Sequence, residues 1–162
     1  MTTFYSNVGY AYHNGKEEFP EVQILEEELS KYIRDNLKQR CNLRVFKDLE
    51  INTENRIGAS ASFHDKVILD VIWSITVTKD NTTFEYTNYK VSLPVRMGKI
   101  WEVMNDIVKN PEKAELVTNL KSQKDMTINR YYHENQQSIY IIRDHKSEIK
   151  DKDYYIFAFA TK

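Results

Sequence analysis

The sequence predicts an α+β domain in which one mainly antiparallel sheet packs against an N-terminal helix and a central pair of helices. The meander Ile57–Leu93 alternates apolar and polar side chains through three segments, which is typical of half-buried antiparallel strands. Residues 20–40 and 97–110 instead place apolar side chains at helical spacing. Strand-like apolar segments return from residue 126 onward. We therefore expect the meander and the C-terminal strands to form one sheet, with the helices packed on it.

Length and composition favour one domain spanning residues 1–162. A chain of 162 residues lies within the usual domain size of about 100–200 residues. The formal net charge of -1 provides no overall basic field for nucleic acid or anionic membranes. Cys41 is the only cysteine, which excludes an intrachain disulfide and a cysteine-based zinc site. Because no stretch approaches the roughly 20 apolar residues of a membrane span, we expect a cytoplasmic protein without a membrane partner.

Residues 1–19 form the first segment, which we interpret as an N-terminal aromatic arm or a short hairpin. Tyr5, Tyr10 and Tyr12 stand among small polar residues and glycines. This composition is too aromatic for a disordered tail and too interrupted for a helix. The segment either adds an edge strand to this domain or docks onto another subunit.

Pro20–Arg40 is the clearest helix in the sequence. Its apolar residues form one stripe, which consists of Val22, Leu25, Leu29, Tyr32, Ile33 and Leu37. Acidic residues crowd its beginning and basic residues its end, as the helix dipole favours. Leu43–Ile51 follows as a predicted strand, and residues 52–55 follow as a polar turn.

The longest predicted feature is the β-hairpin Val67–Leu93, with a two-residue turn at Asp80-Asn81. Near this turn the apolar residues of the two strands lie opposite each other, but further along the apolar alternation slips by one residue. One extra residue at Thr87-Asn88, a β-bulge, restores the alternation and sets Leu69 opposite Leu93.

The strand before the hairpin fits the same sheet. A three-residue turn at His64–Lys66 places Ala59 and Ala61 opposite Val71 and Leu69. These small side chains leave a shallow trough on the core side of the sheet, and a helix can lie in it.

A central pair of helices follows the meander. Met97–Asn110 carries apolar residues at spacings of three and four, namely Met97, Ile100, Trp101, Met104, Ile107 and Val108. Pro111 then stands at the first-turn position of a second helix, which we predict over residues 111–122. We expect the first helix to supply core residues and the second to lie at the rim.

Three predicted strands complete the chain, namely Met126–His133, Ser138–Arg143 and Asp153–Thr161. A charged loop over residues 144–152 joins the last two. The final strand is apolar at both sets of alternating positions, and strands of this kind are usually covered on both faces. We therefore expect it to be either central in the sheet or covered by a partner.

The sequence offers no catalytic, cofactor-binding or metal-binding motif. Its four glycines, at positions 9, 15, 58 and 98, are too scattered for a P-loop or a Rossmann fingerprint. We predict no catalytic residues, no cofactor and no metal, and we expect a binding protein rather than an enzyme. The alternative is a hydrolytic enzyme, which requires His64, His133 or His145 to meet a carboxylate in the fold.

A group of aromatic and basic residues on two neighbouring predicted strands is the candidate binding site. It comprises Arg130, Tyr131, Tyr132, His133, Tyr140, Arg143 and His145. Tyrosine and arginine are enriched at the energetically important positions of protein interfaces. Aromatic and basic residues together also stack bases and neutralise phosphates in single-strand binding proteins. A third interpretation is that these residues cover an edge of the core, and all three stay open at this point.

We predict a non-enzymatic protein-binding module. The partner that we expect first is another protein, followed by self-association and then by nucleic acid, with single-stranded nucleic-acid binding as one alternative function. From Pro20 onward, the order of helices and strands resembles in layout the phage tail-terminator and head-to-tail joining proteins, apart from one extra strand, and implies a ring-forming assembly role. The composition, rich in Lys, Glu, Asn and Tyr, resembles that of small viral or mobile-element proteins that inhibit a host defence enzyme. That resemblance implies a location in the host cytoplasm.

Overall fold

The structure is a computed structural model that describes residues 8–14, 16–110, 125–133, 137–149 and 153–162. The chain divides into two compact units. The hairpin unit comprises residues 23–63 and 67–93, and the C-terminal unit comprises residues 1–22, 64–66 and 94–162. The expectation of a single domain over residues 1–162 stays a prediction.

Two α-helices, one short 3-10 helix and nine strands make up the described part of the chain. In chain order they are β1 (Tyr10–His13), β2 (Lys16–Glu17), α1 (Val22–Arg40), the 3-10 helix Leu43–Val45, β3 (Glu50–Thr53), β4 (Gly58–Phe63), β5 (Val67–Lys79), β6 (Thr82–Leu93), α2 (Met97–Lys109), β7 (Met126–His133), β8 (Gln137–Ile149) and β9 (Asp153–Thr161). The second helix predicted for the central pair, over residues 111–122, lies outside the described residues. Neither described helix is both long and apolar enough to cross a membrane.

The chain is mixed α and β and is richer in strand than in helix, but the prediction of a single sheet is wrong. In the hairpin unit, β5 is central, with β6 along one side and with β3 and β4 sharing the other. In the C-terminal unit, five strands follow the order β2-β1-β9-β8-β7, and β1 pairs in parallel with β9. The sheets are separate because β9 finds its second neighbour in the N-terminal hairpin β1–β2 and not in the meander.

The predicted strand Leu43–Ile51 is wrong at both ends. Leu43–Val45 forms the 3-10 helix, and the strand that follows is Glu50–Thr53, which enters the predicted polar turn. The reason is the ladder with β5, in which Ile51 lies opposite Val77. This ladder gives the backbone of the apparent turn its hydrogen-bond partners.

The hairpin β5–β6 has the predicted two-residue turn, with Lys79 paired to Thr82. Asp80 has a positive φ of 53°, a left-handed conformation that aspartate tolerates well in turns. The register of β4 against β5 also agrees with the prediction, and Ala61 lies opposite Leu69.

The β-bulge of this hairpin lies on the strand opposite to the one predicted. Two residues of β5, Trp73 and Ser74, lie opposite the single residue Thr87 of β6. The predicted insertion at Thr87-Asn88 is therefore wrong, and the pairing beyond the bulge differs from the predicted one by two residues. Either insertion corrects the alternation, because a two-residue difference keeps every side chain on its face. Glu54 favours the observed one: its N–H donates to the Ser74 carbonyl at 3.0 Å, and its carbonyl accepts from Trp73 Nε1 at 3.0 Å.

Side chains of α1 close the outer edge of β4. The bonds are Phe63 N–H to Glu26 Oε1 at 2.6 Å, Ala61 N–H to Ser30 Oγ at 2.8 Å, and Arg34 Nη1–H to the Ala59 carbonyl at 2.9 Å. Four residues advance a helix by about 6 Å, and two residues advance a strand by about 6.7 Å. Every fourth residue of α1 can therefore bond to every second residue of β4. The helix therefore satisfies backbone groups that an edge strand leaves unpaired.

The core of the C-terminal unit lies between α2 and one face of its sheet. The apolar stripe of α2 is buried, as predicted, through Ile100, Met104, Ile107 and Val108 and also through Val103. The sheet contributes Ala11, Met126, Ile128, Tyr140, Ile142 and Phe159. The predicted helix Met97–Asn110 is thus confirmed to within one residue.

Strand β8 is longer than predicted. It extends to Ile149, so the loop predicted over residues 144–152 is wrong for residues 144–149, and residues 150–152 lie outside the described part. The charged sequence indicated a loop, but Asp144 is buried and ion-paired, so the strand accommodates it.

Candidate protein-binding surface

The seven predicted site residues do not share one surface. Side chains alternate between the two faces of a strand, so Tyr131 lies opposite in direction to its neighbours Arg130 and Tyr132. On β8 the same alternation separates Tyr140, which belongs to the core, from Arg143. His145 is exposed and contacts Thr127 and Tyr154, and His133 ends β7 opposite Gln137. We call the face of this sheet that packs against α2 the closed face.

Three of the seven residues lie on the closed face and contact one another there. Arg130 donates from Nε and Nη2 to Ser138 Oγ at 3.1 and 3.0 Å. Its guanidinium carbon lies 4.5 Å from the ring centroid of Tyr132 and 5.5 Å from that of Tyr140. Tyr140 is only 1% exposed and stacks on Phe159 with a centroid distance of 5.0 Å, and burial raises its pKa. This group therefore packs the core edge, with Arg130 half-buried and Tyr132 exposed.

The other face of the same sheet carries exposed aromatic and apolar side chains. We call it the open face; it comprises Thr127, Asn129, Tyr131, Ile139, Ile141, Arg143, His145, Tyr154, Ile156 and Ala158. Tyr131 is 47% exposed, Tyr154 44% and Ile156 51%. Their strands are hydrogen-bonded neighbours, and Arg143 pairs with both Thr127 and Ile156. The open face is thus one continuous surface with an apolar centre.

The open face is basic at one end. Arg143 is exposed there, and His145 Nε2 lies 2.7 Å from Thr127 Oγ1. The imidazole of His145 also meets the ring of Tyr154 edge-on, with a centroid distance of 4.9 Å and an interplanar angle of 80°. Arg143 and His145 are the basic residues among the ten. Such a corner favours a partner that carries carboxylates or phosphates.

Tyr154 and Ile156 belong to this surface, although the predicted site did not include them. The sequence did contain the signal, because the final strand is apolar at both sets of alternating positions. Tyr155, Phe157 and Phe159 pack into the core, which leaves Tyr154 and Ile156 on the opposite face. Of the two alternatives expected for this strand, the central position is observed, since β9 lies between β1 and β8, and cover by a partner stays a prediction.

A second polar cluster joins the start of α2 to β8. Both carboxylate oxygens of Asp144 accept from Arg96, and Asp144 also accepts from Ser147 Oγ and from the Lys146 N–H at 3.2 Å. Burial raises the pKa of Asp144, but the hydrogen bonds from Arg96 and Ser147 outweigh it and hold the pKa below the usual range. Asp125 pairs with Lys146 at 2.9 Å and with Arg96 at 3.3 Å, which lowers its pKa.

This cluster is a structural anchor. Ser147 and Asp144 are both completely buried, so no substrate reaches them. Ser147 Oγ also accepts from the Arg96 N–H at 2.8 Å, and its hydrogen-bonding capacity is used on both sides. The cluster therefore fixes α2 to β8 and leaves no free nucleophile.

The described histidines do not assemble a hydrolytic site. His13 contacts Tyr10 and Asn14, His145 contacts Thr127 and Tyr154, and His64 is exposed in the turn before β5. In the described ranges, no group of three His, Cys, Asp or Glu side chains is arranged to hold a metal ion. The side chain of His133 lies outside the described part of the chain, so the alternative of a hydrolytic enzyme stays a prediction.

Comparison with known proteins adds no family: no protein-family model matches the chain, and no curated protein and no solved structure matches it either.

Proposed function

We propose that the protein is a non-enzymatic protein-binding module whose partner packs on the open face. The observation that carries this proposal is the pattern of β9, which is apolar on both faces although α2 covers only one of them. A strand that is apolar on both sides is usually covered on both sides. A partner protein supplies the missing cover.

The energetic argument rests on three side chains. Fully burying a large apolar side chain stabilises by about 1.5–3 kcal/mol, so burying the exposed halves of Tyr131, Tyr154 and Ile156 gives about 1 kcal/mol each. A single exposed apolar residue needs no explanation, but a contiguous group on one sheet face is typical of an interaction site.

The chemistry of the face defines the class of partner. An apolar patch on the partner fits Ile156 and the half-buried Ile141, and one or more carboxylates fit Arg143 and His145. The biological role that we propose is inhibition of a host defence enzyme by a small phage or mobile-element protein in the host cytoplasm. That role draws on composition, whereas the alternative of a phage-type assembly oligomer draws on layout and requires a second copy as the partner.

Site-specific photo-crosslinking tests the proposal. A photoreactive phenylalanine analogue at Ile156 on the open face is compared with the same group at Tyr132, which is 75% exposed on the other side of the sheet. We expect a discrete crosslinked protein from position 156 in cells, and not from position 132. A crosslinked second copy of the chain identifies the assembly alternative, and equal yields at both positions contradict an open-face interface.

Substitution then measures the contribution of individual residues. We expect Tyr131→Ala and Arg143→Ala each to abolish most of the crosslink from position 156, whereas Tyr132→Ala leaves it intact. Circular dichroism confirms that the variants are folded. Unchanged partner binding in both open-face variants moves the interface elsewhere.

A second candidate function is single-stranded nucleic-acid binding, which the combination of Tyr131, Tyr154 and Arg143 on one face favours. Fluorescence anisotropy of a labelled oligonucleotide tests it at two salt concentrations. This function requires affinity that falls with salt and is reduced in Tyr131→Ala. An oligonucleotide that does not bind at low salt removes this candidate.

A further inference from the structure

A pocket in the hairpin unit has no role in the proposed function. It lies between the C-terminal end of α1, the 3-10 helix, β3 and the bulge of β5, and it has a volume of about 480 Å³. Ligand sites in proteins usually measure about 300–1,000 Å³ and combine apolar walls with a few polar groups. The size of this pocket suits a small molecule.

The polar side of the pocket is cationic. Lys38 and Arg44 line it, and its described lining includes no carboxylate. Lys38 Nζ donates to the neutral amide of Asn55 at 2.5 Å, and within the described ranges Lys38 forms no ion pair that balances its charge. Arg44 is exposed and forms no ion pair with any residue in the described part of the chain. The C-terminal end of α1 carries about half a negative charge, which neutralises only part of these two positive charges.

The other side of the pocket is apolar. Leu43, Ile51 and Trp73 line it. Trp73 is only 3% exposed, and its indole N–H is bonded to the Glu54 carbonyl, so the half-buried Leu43 and Ile51 supply most of the apolar surface that a ligand can reach. Asn42 adds an amide at the rim. An apolar wall that faces two cations suits a ligand with an apolar group at one end and an anionic group at the other.

We infer that this pocket binds a small organic anion, in which a phosphate or a carboxylate is attached to a flat apolar group. The anionic group meets Lys38 and Arg44, and the flat group packs against Leu43 and Ile51 beside the buried Trp73. The inference is independent of the open face, because every lining residue belongs to the hairpin unit.

Tryptophan fluorescence tests this assignment directly. The chain has two tryptophans, so a Trp101→Phe background leaves Trp73 as the only reporter, and circular dichroism confirms that this background is folded. The probes are 1-naphthyl phosphate and 1-naphthoate, with 1-naphthol and inorganic phosphate as the two halves. We expect saturable quenching by at least one naphthyl anion and binding at least about tenfold weaker for each half. 1-Naphthol lacks the charge-assisted contact and inorganic phosphate lacks the apolar contact, and each of these contributes about tenfold or more. The stronger of the two anionic probes identifies the charged group.

One arginine variant and one lysine variant distinguish binding in the pocket from attraction of the anion to general surface charge. Arg44→Gln is expected to weaken binding of the preferred probe about tenfold, whereas Lys47→Gln, at an exposed cation outside the lining, leaves it unchanged. Equal effects of the two substitutions, or the absence of saturable quenching by both anions in the folded protein, overturn the inference.

Cys41 provides a second readout that does not depend on fluorescence. It is the only cysteine, it is exposed, and it lines the pocket. The preferred naphthyl anion is expected to slow alkylation of Cys41 by neutral iodoacetamide several-fold in the parent protein and not in Arg44→Gln. Equal protection in both proteins places the anion outside the cationic pocket and overturns the assignment.

Discussion

The two faces of the C-terminal sheet carry similar apolar residues but meet different surroundings. On β9, Tyr155, Phe157 and Phe159 point toward α2, and Phe159 is almost fully buried. Tyr154 and Ile156 point the other way and remain about half exposed. The comparison shows that an apolar pattern identifies which faces require cover, whereas the fold of the chain decides which of them it covers itself.

The closed face also has an anchor that the open face lacks. Arg96, immediately before α2, holds the buried carboxylate of Asp144 on β8 through two of its nitrogens. Without Asp144, Arg96 keeps only its 3.3 Å contact with Asp125, and the loss of a buried counter-charge costs more than the pair contributes. The closed face is therefore where single substitutions reduce stability most.

The largest effect is expected from Asp144→Ala, which should lower the free energy of unfolding by about 3–5 kcal/mol. The physical reason is that Arg96 and Ser147 lose their buried acceptor together. Urea denaturation measures the change. The control is Asp70→Ala, because Asp70 pairs with Lys90 on the surface and such pairs contribute only about 0–1 kcal/mol. Equal losses in the two variants would show that the Asp144 cluster is not an anchor.

A matched pair of isoleucines compares the two faces directly. Ile142→Ala should cost about 2–5 kcal/mol, because Ile142 is completely buried against α2. Ile156→Ala should cost less than about 1 kcal/mol in the protein alone, because half of that side chain already contacts water. Thermal or urea denaturation distinguishes the two. A loss at Ile156 as large as that at Ile142 would mean that the chain itself covers the open face.

Acid should weaken the closed face selectively. The folded-state pKa values of Asp144 and Asp125 are lowered, so their contribution to stability is present above the unfolded-state pKa of about 3.9 and is lost as the pH falls through the folded-state values. Denaturation at a series of pH values below about 5 should show this loss, and Asp144→Asn should reduce the slope. An unchanged slope in Asp144→Asn would assign the acid sensitivity to other carboxylates.

The local sequence pattern predicts most helices and strands. The sheet arrangement and the side of the bulge depend on pairing between residues far apart in sequence, which the local pattern does not show. Helical spacing gave the bounds of α2 within one residue, and turn chemistry located Asp80-Asn81. The division into two sheets depends on the parallel pairing of β1 with β9, which no local pattern reveals. The side of the bulge depends on Glu54, which bonds Trp73 and Ser74 from outside the hairpin.

The candidate site was only partly predictable for a related reason. Grouping Arg130, Tyr131 and Tyr132 as one patch ignored the two-residue period of a strand, which separates Tyr131 from the other two. Tyr154 required knowledge of which face α2 covers, and that is decided by contacts far apart in sequence. The sequence therefore predicts which residue types are available for binding, but not which of them share a face.

The smallest expected effect on stability, and a decisive one for function, is that of Tyr154→Ala. The free energy of unfolding should change by less than about 1 kcal/mol, because the ring is half exposed and its described ring contact is with the exposed His145. Binding of a partner on the open face should nevertheless fall, since the substitution removes the aromatic side of the basic corner. Crosslinking from position 156, together with urea denaturation of the same variant, measures both quantities. Full crosslinking in this variant would confine the interface to the part of the open face around Tyr131 and Ile139. A large loss of stability would instead show that the Tyr154 side chain stabilises the folded chain itself.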